Sequence, residues 1–259
     1  MLMEKIPANV PKTNHPSKPW FEEWFDSPYY QILYSHRNDD EAYQFIHNLT
    51  TYLHLQEGQS ALDLACGNGR HTAALASFGL KMTGKDLSKE SIAIAIARNK
   101  AAIEFVIGDI RKPTSPYNFN FVFSLFTSLG YFDRQDDDQA VVDAVYHSLT
   151  DHGIWIVDFF NAELVVKNLV PYETKYINNI TFNIHKKIED GYVIKHIEVI
   201  DQQIVHNYSE KVRLFTYEDF KLLCKNYFDI IDVFGDYQLN TKHIDSPRMI
   251  LVLSKINTL

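Results

Sequence analysis

Cysteine is scarce: Cys66 and Cys224 are the only two in 259 residues. Two thiols cannot staple a small fold, so a disulfide-built scaffold is excluded and a reducing compartment, the cytoplasm, is expected. No run of about eighteen apolar residues occurs, which leaves no candidate membrane-spanning helix and no membrane partner. Basic runs are absent too, and the formal net charge is −8. A nucleic-acid backbone is therefore excluded as the main partner. Residues 1–19 carry Pro7, Pro11, Pro16 and Pro19 and little periodicity. They do not read as a signal peptide and are expected to form a loose arm. There is no internal repeat. Metal-ligand spacing is lacking as well, because His185, His196 and His206 fall on separate strands, and no metal is expected.

What is there centres on Ala61-Leu62-Asp63-Leu64-Ala65-Cys66-Gly67-Asn68-Gly69-Arg70-His71-Thr72. A short apolar run breaks at two glycines and continues as Ala73-Ala74-Leu75-Ala76, which reads as buried strand, tight turn and helix. Glycines at such a turn permit positive φ and let a ligand touch bare backbone. The unpaired N–H groups of the following helix suit an anionic group. Together they make a nucleotide-type site. The third glycine of a dinucleotide fingerprint is absent, and so is the Gly-Lys-Ser/Thr ending of a triphosphate loop. Asp86 ends the next strand, where a carboxylate can accept from both ribose hydroxyls. Ser88 caps the helix after it. A third strand, Ile103 to Ile110, ends in Gly108-Asp109.

An acid in strand one followed by Ala65, Gly67 and Gly69 resembles the first motif of the class I S-adenosylmethionine-dependent methyltransferases. Ala65 stands where that family usually has glycine. Asp86 matches its acidic second motif and Gly108-Asp109-Ile110 its third. The resemblance implies that Gly67 and Gly69 hold the methionyl end of S-adenosylmethionine, with Asp63 buttressing the loop near the amino group. It implies Asp86 on the ribose, Leu87 along the adenine, and Asp109 with Ile110 on the adenine edge. Ser124, Phe126, Ser128 and Tyr131 resemble the loop that small-molecule members place near the methyl group, and by that resemblance Ser124 and Leu125 meet the cofactor. Seven aromatic residues between Trp20 and Tyr34 either anchor this segment on the core or fold over the cofactor as a lid. By resemblance, Tyr30 and Arg37 meet the methionyl part. No residue reads as a clear base; Tyr131, Asp158 and His71 are the candidates near the methyl.

The expected architecture is α/β: a three-layer, doubly wound, seven-stranded, mostly parallel sheet, the last strand antiparallel. Residues 1–54 form the arm and aromatic helical lid. Residues 55–170 and 214–259 form the core. Residues 171–213 form an antiparallel insert, read as a three-stranded meander with a hairpin turn at Asp190-Gly191, serving as substrate wall or homodimer contact. The expected activity is methyl transfer to a small-molecule acceptor, at nitrogen or oxygen, by in-line displacement. The alternatives are a NAD-dependent oxidoreductase and a non-catalytic cofactor-binding or dimerisation module.

Overall fold

The computed structural model describes residues 19–35, 39–99, 103–115 and 118–256. The arm expected over residues 1–19, apart from Pro19, and Arg37 lie outside them. In chain order the elements are α1 (Trp20–Phe25), α2 (Pro28–Leu33), α3 (Asp39–Tyr52), β1 (Ser60–Leu64), α4 (Arg70–Ser77), β2 (Lys81–Asp86), α5 (Lys89–Arg98), β3 (Glu104–Ile107), β4 (Phe119–Ser124), α6 (Gln135–Ser148), β5 (Leu149–Phe160), α7 (Ala162–Lys167), β6 (Tyr172–Ile177), β7 (Ile180–Glu189), β8 (Tyr192–Asp201), β9 (Ile204–Arg213), α8 (Tyr217–Cys224), β10 (Phe228–Phe234) and β11 (Arg248–Lys255).

Seven strands form one sheet in the order β10-β11-β5-β4-β1-β2-β3. Only β11 runs antiparallel to its neighbours. This is the expected α/β architecture. Strand alternation makes the layers. Leu62 and Leu64 of β1 join a buried cluster with Val141, Val145 and Phe220 on one face. Ala61 joins Phe45, Leu49 and Leu75 on the other. β1 pairs with β2 on one side and β4 on the other. The order of the sheet reverses there, so the loops after β1 and β4 diverge and leave a crevice at the strands' carboxyl ends. Local signals behave as sequence rules require. Ser88 accepts a hydrogen bond from the Ser91 N–H as N-cap of α5, and Thr216 with Asp219 forms a capping box on α8.

The second sheet has four strands, β6-β7-β8-β9, not the three expected. The extra strand, β6, turns Glu173 and Lys175 inward and leaves Tyr172 and Tyr176 exposed. An edge strand with inward charges shows no apolar alternation to detect. The turn before β7, Asn178-Asn179, has φ of 52° and 64° at its two residues, a type I′ hairpin turn. Phe21 of α1 packs against the core of the seven-stranded sheet, but the two most deeply buried residues of α1 and α2 do not. Trp24 and Leu33 pack instead against Ile180, Phe182, Ile197 and Val199 of the second sheet.

Candidate active site

The loop after β1 takes the conformation that its small residues predict. Gly67 has φ 54° and Gly69 φ 77°. A Cβ on Gly67 would meet nothing within 4 Å, so its backbone faces open space, whereas one on Gly69 would press on Phe105 at 3.0 Å. Ala65 also lies in the left-handed region, at φ 62°. Alanine there carries strain that glycine would not. The backbone N–H of Gly67 donates to Asp86 Oδ2 at 2.8 Å, and that of Ser88 donates to Oδ1 at 2.8 Å. Each Asp86 oxygen thus spends one acceptor position and keeps another. Asp63 is buried and its Oδ2 accepts from Thr72 Oγ1 at 2.5 Å. Burial, then the nearby Asp86 charge, pushes its pKa up to about 7 against the pull of that bond. Burial also raises Asp86.

These residues line a cavity of about 570 Å³, within the range of ligand sites. Asp63, Ala65, Gly67, Asp86, Leu87, Asp109, Ile110 and Leu125, all expected, line it with Tyr30, His71 and Tyr131. Gly69 stands just behind, as the turn before α4. Asp109 is engaged more tightly than expected. Arg111 forks onto it, Nη2 donating to Oδ2 at 2.6 Å and Nε to Oδ1 at 3.1 Å. Arg111 Nη1 reaches Asp137 at 2.7 Å. Burial alone would raise the Asp109 pKa, but Arg111 outweighs it and holds it below the ordinary value. Ser128 Oγ, in the same wall, is buried and has no hydrogen-bond partner among the described residues.

Three expectations need correction. Ser124 does not line the cavity; its hydroxyl, buried behind the wall, accepts from Trp155 Nε1 at 3.0 Å. Asp158 lines neither this cavity nor the next. Its carboxylate accepts from Arg248 Nε at 2.7 Å, Tyr237 Oη at 3.1 Å and the Phe126 N–H at 2.9 Å. Phe126 and Thr127 are consecutive non-glycine residues at φ 63° and 62°, so Asp158 fixes a strained loop. His71 does reach the cavity, but burial and then the charges of Arg70 and Arg248 push its pKa down to about 3. It is neutral at physiological pH and too weak a base to hold a proton there. The Tyr131 hydroxyl donates to the Thr127 carbonyl.

The aromatic segment covers this crevice. Ser88 donates to Asp26, between α1 and α2, and Asn68 Nδ2 donates to Gln31 Oε1 at 3.3 Å. Beyond it lies a second cavity of about 460 Å³, bounded by α7 and the inner face of the four-stranded sheet. Phe25, Tyr30, Tyr34, Phe126 and Tyr131 line both cavities. Glu210 of β9 and its cross-strand partner Lys195 line the second. Glu210 accepts from Trp24 Nε1 at 2.7 Å, Tyr34 Oη at 2.6 Å and Lys195 Nζ at 2.5 Å. Burial would raise its pKa; the charge and bonds of Lys195, Tyr34 and Trp24 lower it instead. Sequence reasoning passed over Arg111, Lys195 and Glu210. Arg111 lies two residues past a motif acid, a usable signal. Lys195 and Glu210 give none, because only strand register makes them neighbours.

The bare Gly67 backbone, the unspent Asp86 acceptor positions and the orphaned Ser128 hydroxyl fit a ligand combining an amino acid with a nucleoside. Comparison with known proteins agrees. Residues 61–153 match a family model described as a methyltransferase domain. The chain is 29% identical over 180 residues to a Streptomyces fradiae dTDP-3-amino-3,6-dideoxy-alpha-D-glucopyranose N,N-dimethyltransferase, covering 65% of this chain and 69% of that one. A solved S-adenosylmethionine-dependent methyltransferase from Clostridium acetobutylicum superposes with a TM-score of 0.75 at 19% identity, covering 87% of this chain and 95% of that one. A sugar N-methyltransferase from Streptoalloteichus does so with a TM-score of 0.70 at 15% identity, covering 98% and 100%. At those identities the likeness of the solved structures is one of fold.

Proposed function

The chain belongs to the class I S-adenosylmethionine-dependent methyltransferases, and we propose that it methylates an amine nitrogen of a small polar acceptor, of amino-sugar type, seated in the second cavity. Its cofactor is S-adenosylmethionine, so the nicotinamide alternative falls, and as an enzyme it is not a non-catalytic module. The observation that carries the proposal is the shared wall. Phe25, Tyr30, Tyr34, Phe126 and Tyr131 border both cavities, so a donor in the first and an acceptor in the second meet along that wall.

The cofactor supplies a methyl group made electrophilic by its sulfonium. Gly67 offers it bare backbone, Asp86 two acceptor oxygens for ribose hydroxyls, Asp109 an acceptor for the adenine amino group, and Asp63 a carboxylate for the ammonium group. The segment from Trp20 to Tyr34 excludes water above them. None of the three expected candidates acts as a strong base: His71 is neutral with a pKa of about 3, Asp158 is walled off, and the Tyr131 proton is directed at Thr127. A neutral amine carries its own lone pair and needs no base before transfer, whereas a hydroxyl needs one. The name of the Streptomyces fradiae relative supports amino sugars as the acceptor class.

The test is a paired acceptor assay. Amino-deoxy sugars, free and nucleotide-linked, are incubated with S-adenosylmethionine beside their hydroxyl counterparts, and the methylated atom is located by mass spectrometry and NMR. Methyl on nitrogen, with the hydroxyl counterparts inert, is the expected result. Methyl on oxygen or carbon of the counterparts would refute nitrogen as the acceptor.

A further inference from the structure

The rings at the junction do more than fill space. Trp20 meets Tyr131 with centroids 5.5 Å apart at 89° and Phe25 at 5.7 Å and 62°. Phe25 meets Tyr131 at 5.4 Å and 58°, and Tyr30 at 5.0 Å and 72°. Tyr30 meets Tyr34 at 5.0 Å and 61°. These steep meetings are edge-to-face and tilted contacts, not a flat stack. None of these five is among the fully buried residues; each keeps part of its surface toward a cavity.

Transfer to nitrogen gives these rings something to hold. The new nitrogen–carbon bond forms as the carbon–sulfur bond breaks, the bonding pair stays on sulfur, and the positive charge passes to nitrogen. The cation therefore persists across the junction but changes atoms. A methylated ammonium is bulky, weakly hydrated and a poor partner for a single carboxylate, but aromatic faces attract it. We propose that Trp20, Phe25, Tyr30, Tyr34 and Tyr131 form a binding site for a methylated ammonium group, the charged product of that transfer. The proposal rests on the amine reading above and adds the charge and shape of what the site selects.

The surrounding charges are compatible. Lys195 is neutralised by Glu210 at 2.5 Å, Arg248 by Asp158 at 2.7 Å and Lys186 by Glu173 at 2.5 Å. An anionic acceptor oxygen would gain nothing from the rings, whose faces are negative.

The probes are choline and 3,3-dimethyl-1-butanol, which share one shape and differ in charge. Each is titrated by calorimetry into the full chain saturated with S-adenosylhomocysteine. Choline is expected to bind at least about tenfold more tightly than the neutral alcohol. Trp20 lines the second cavity and not the first. Trp20→Leu is therefore expected to abolish the difference while the S-adenosylhomocysteine affinity stays within about twofold, which also reports that the variant is folded. Equal affinities for the two probes, or binding of neither, would overturn the site, as would unchanged choline selectivity in Trp20→Leu. Amine methylation by a protein that treats the probes alike would sink this inference and leave the amine reading standing. Charge selectivity with transfer only to oxygen would support the site and sink that reading.

Discussion

At the residue scale, Ala65 is a strained alanine in a place that asks for glycine. Its φ of 62° costs about 1–2 kcal/mol for a side chain with a Cβ, partly offset by the entropy that glycine loses on folding. Ala65→Gly is expected to raise the melting temperature by about 2 °C, read by calorimetry. Asp63 makes a prediction of opposite sign. Its folded pKa of about 7 lies above its ordinary 3.8. Between those values the folded chain holds a proton that the unfolded chain releases, so stability falls as pH rises, by up to about 1.4 kcal/mol per pH unit. In urea unfolding from pH 4 to pH 7, the stability of the wild type relative to Asp63→Asn is expected to fall with that slope; His71, neutral when folded and charged when unfolded, adds a slope of opposite sign to both and cancels in the difference. Arg111 holds the Asp109 carboxylate by a two-pronged contact. Arg111→Met is expected to weaken S-adenosylhomocysteine about tenfold, with Arg111→Lys between, because lysine cannot reproduce the fork.

At the element scale, the loop after β4 depends on β5 and β11. Asp158, on β5, ties Arg248 and the Phe126 N–H to one carboxylate. Asp158→Ala leaves a buried guanidinium unpaired and is expected to cost about 3–5 kcal/mol in urea unfolding. Asp158→Asn, assayed where it stays folded, is expected to keep the wild-type shape of the pH–rate profile, since the carboxylate meets no substrate; a lost basic limb would restore it as a base. How far these elements were legible follows from what each depends on. The strand-loop-helix at residues 61–76 was legible because buried strands and glycine turns write themselves locally. Ser124 and Asp158 were misassigned because a polar residue at a strand end looks the same whether it faces a ligand or a tertiary partner. Trp155 and Arg248 claim them, 31 and 90 residues away. β6 escaped notice because its inward residues are charged, although Asn178-Asn179 marked its turn.

At the scale of the whole molecule, the aromatic segment belongs to two structures at once. Trp24 and Leu33 are sunk into the second sheet, while Asp26 and Gln31 reach the loops of the first. Adding S-adenosylhomocysteine is therefore expected to slow backbone hydrogen exchange in residues 20–34 and 65–72 together. Slowing confined to the glycine loop would show that the segment does not cover the cofactor. Strand register brings Lys195 to Glu210 and docking of the α2 segment brings Tyr34 to both, which is why the acceptor cavity could not be foreseen while the cofactor cavity could.

The central claim is that Asp86 and the bare loop beside it recognise the nucleoside. The most direct measurement is a cycle of four calorimetric titrations: S-adenosylhomocysteine and its 2′,3′-dideoxy analogue, each into wild type and Asp86→Ala. Two hydrogen bonds to a carboxylate, at about 1.5–3 kcal/mol each, make the wild type favour the natural ligand at least about a hundredfold. The variant is expected to bind both ligands nearly alike. A wild type that binds the two equally, or a variant that still separates them a hundredfold, would contradict the account.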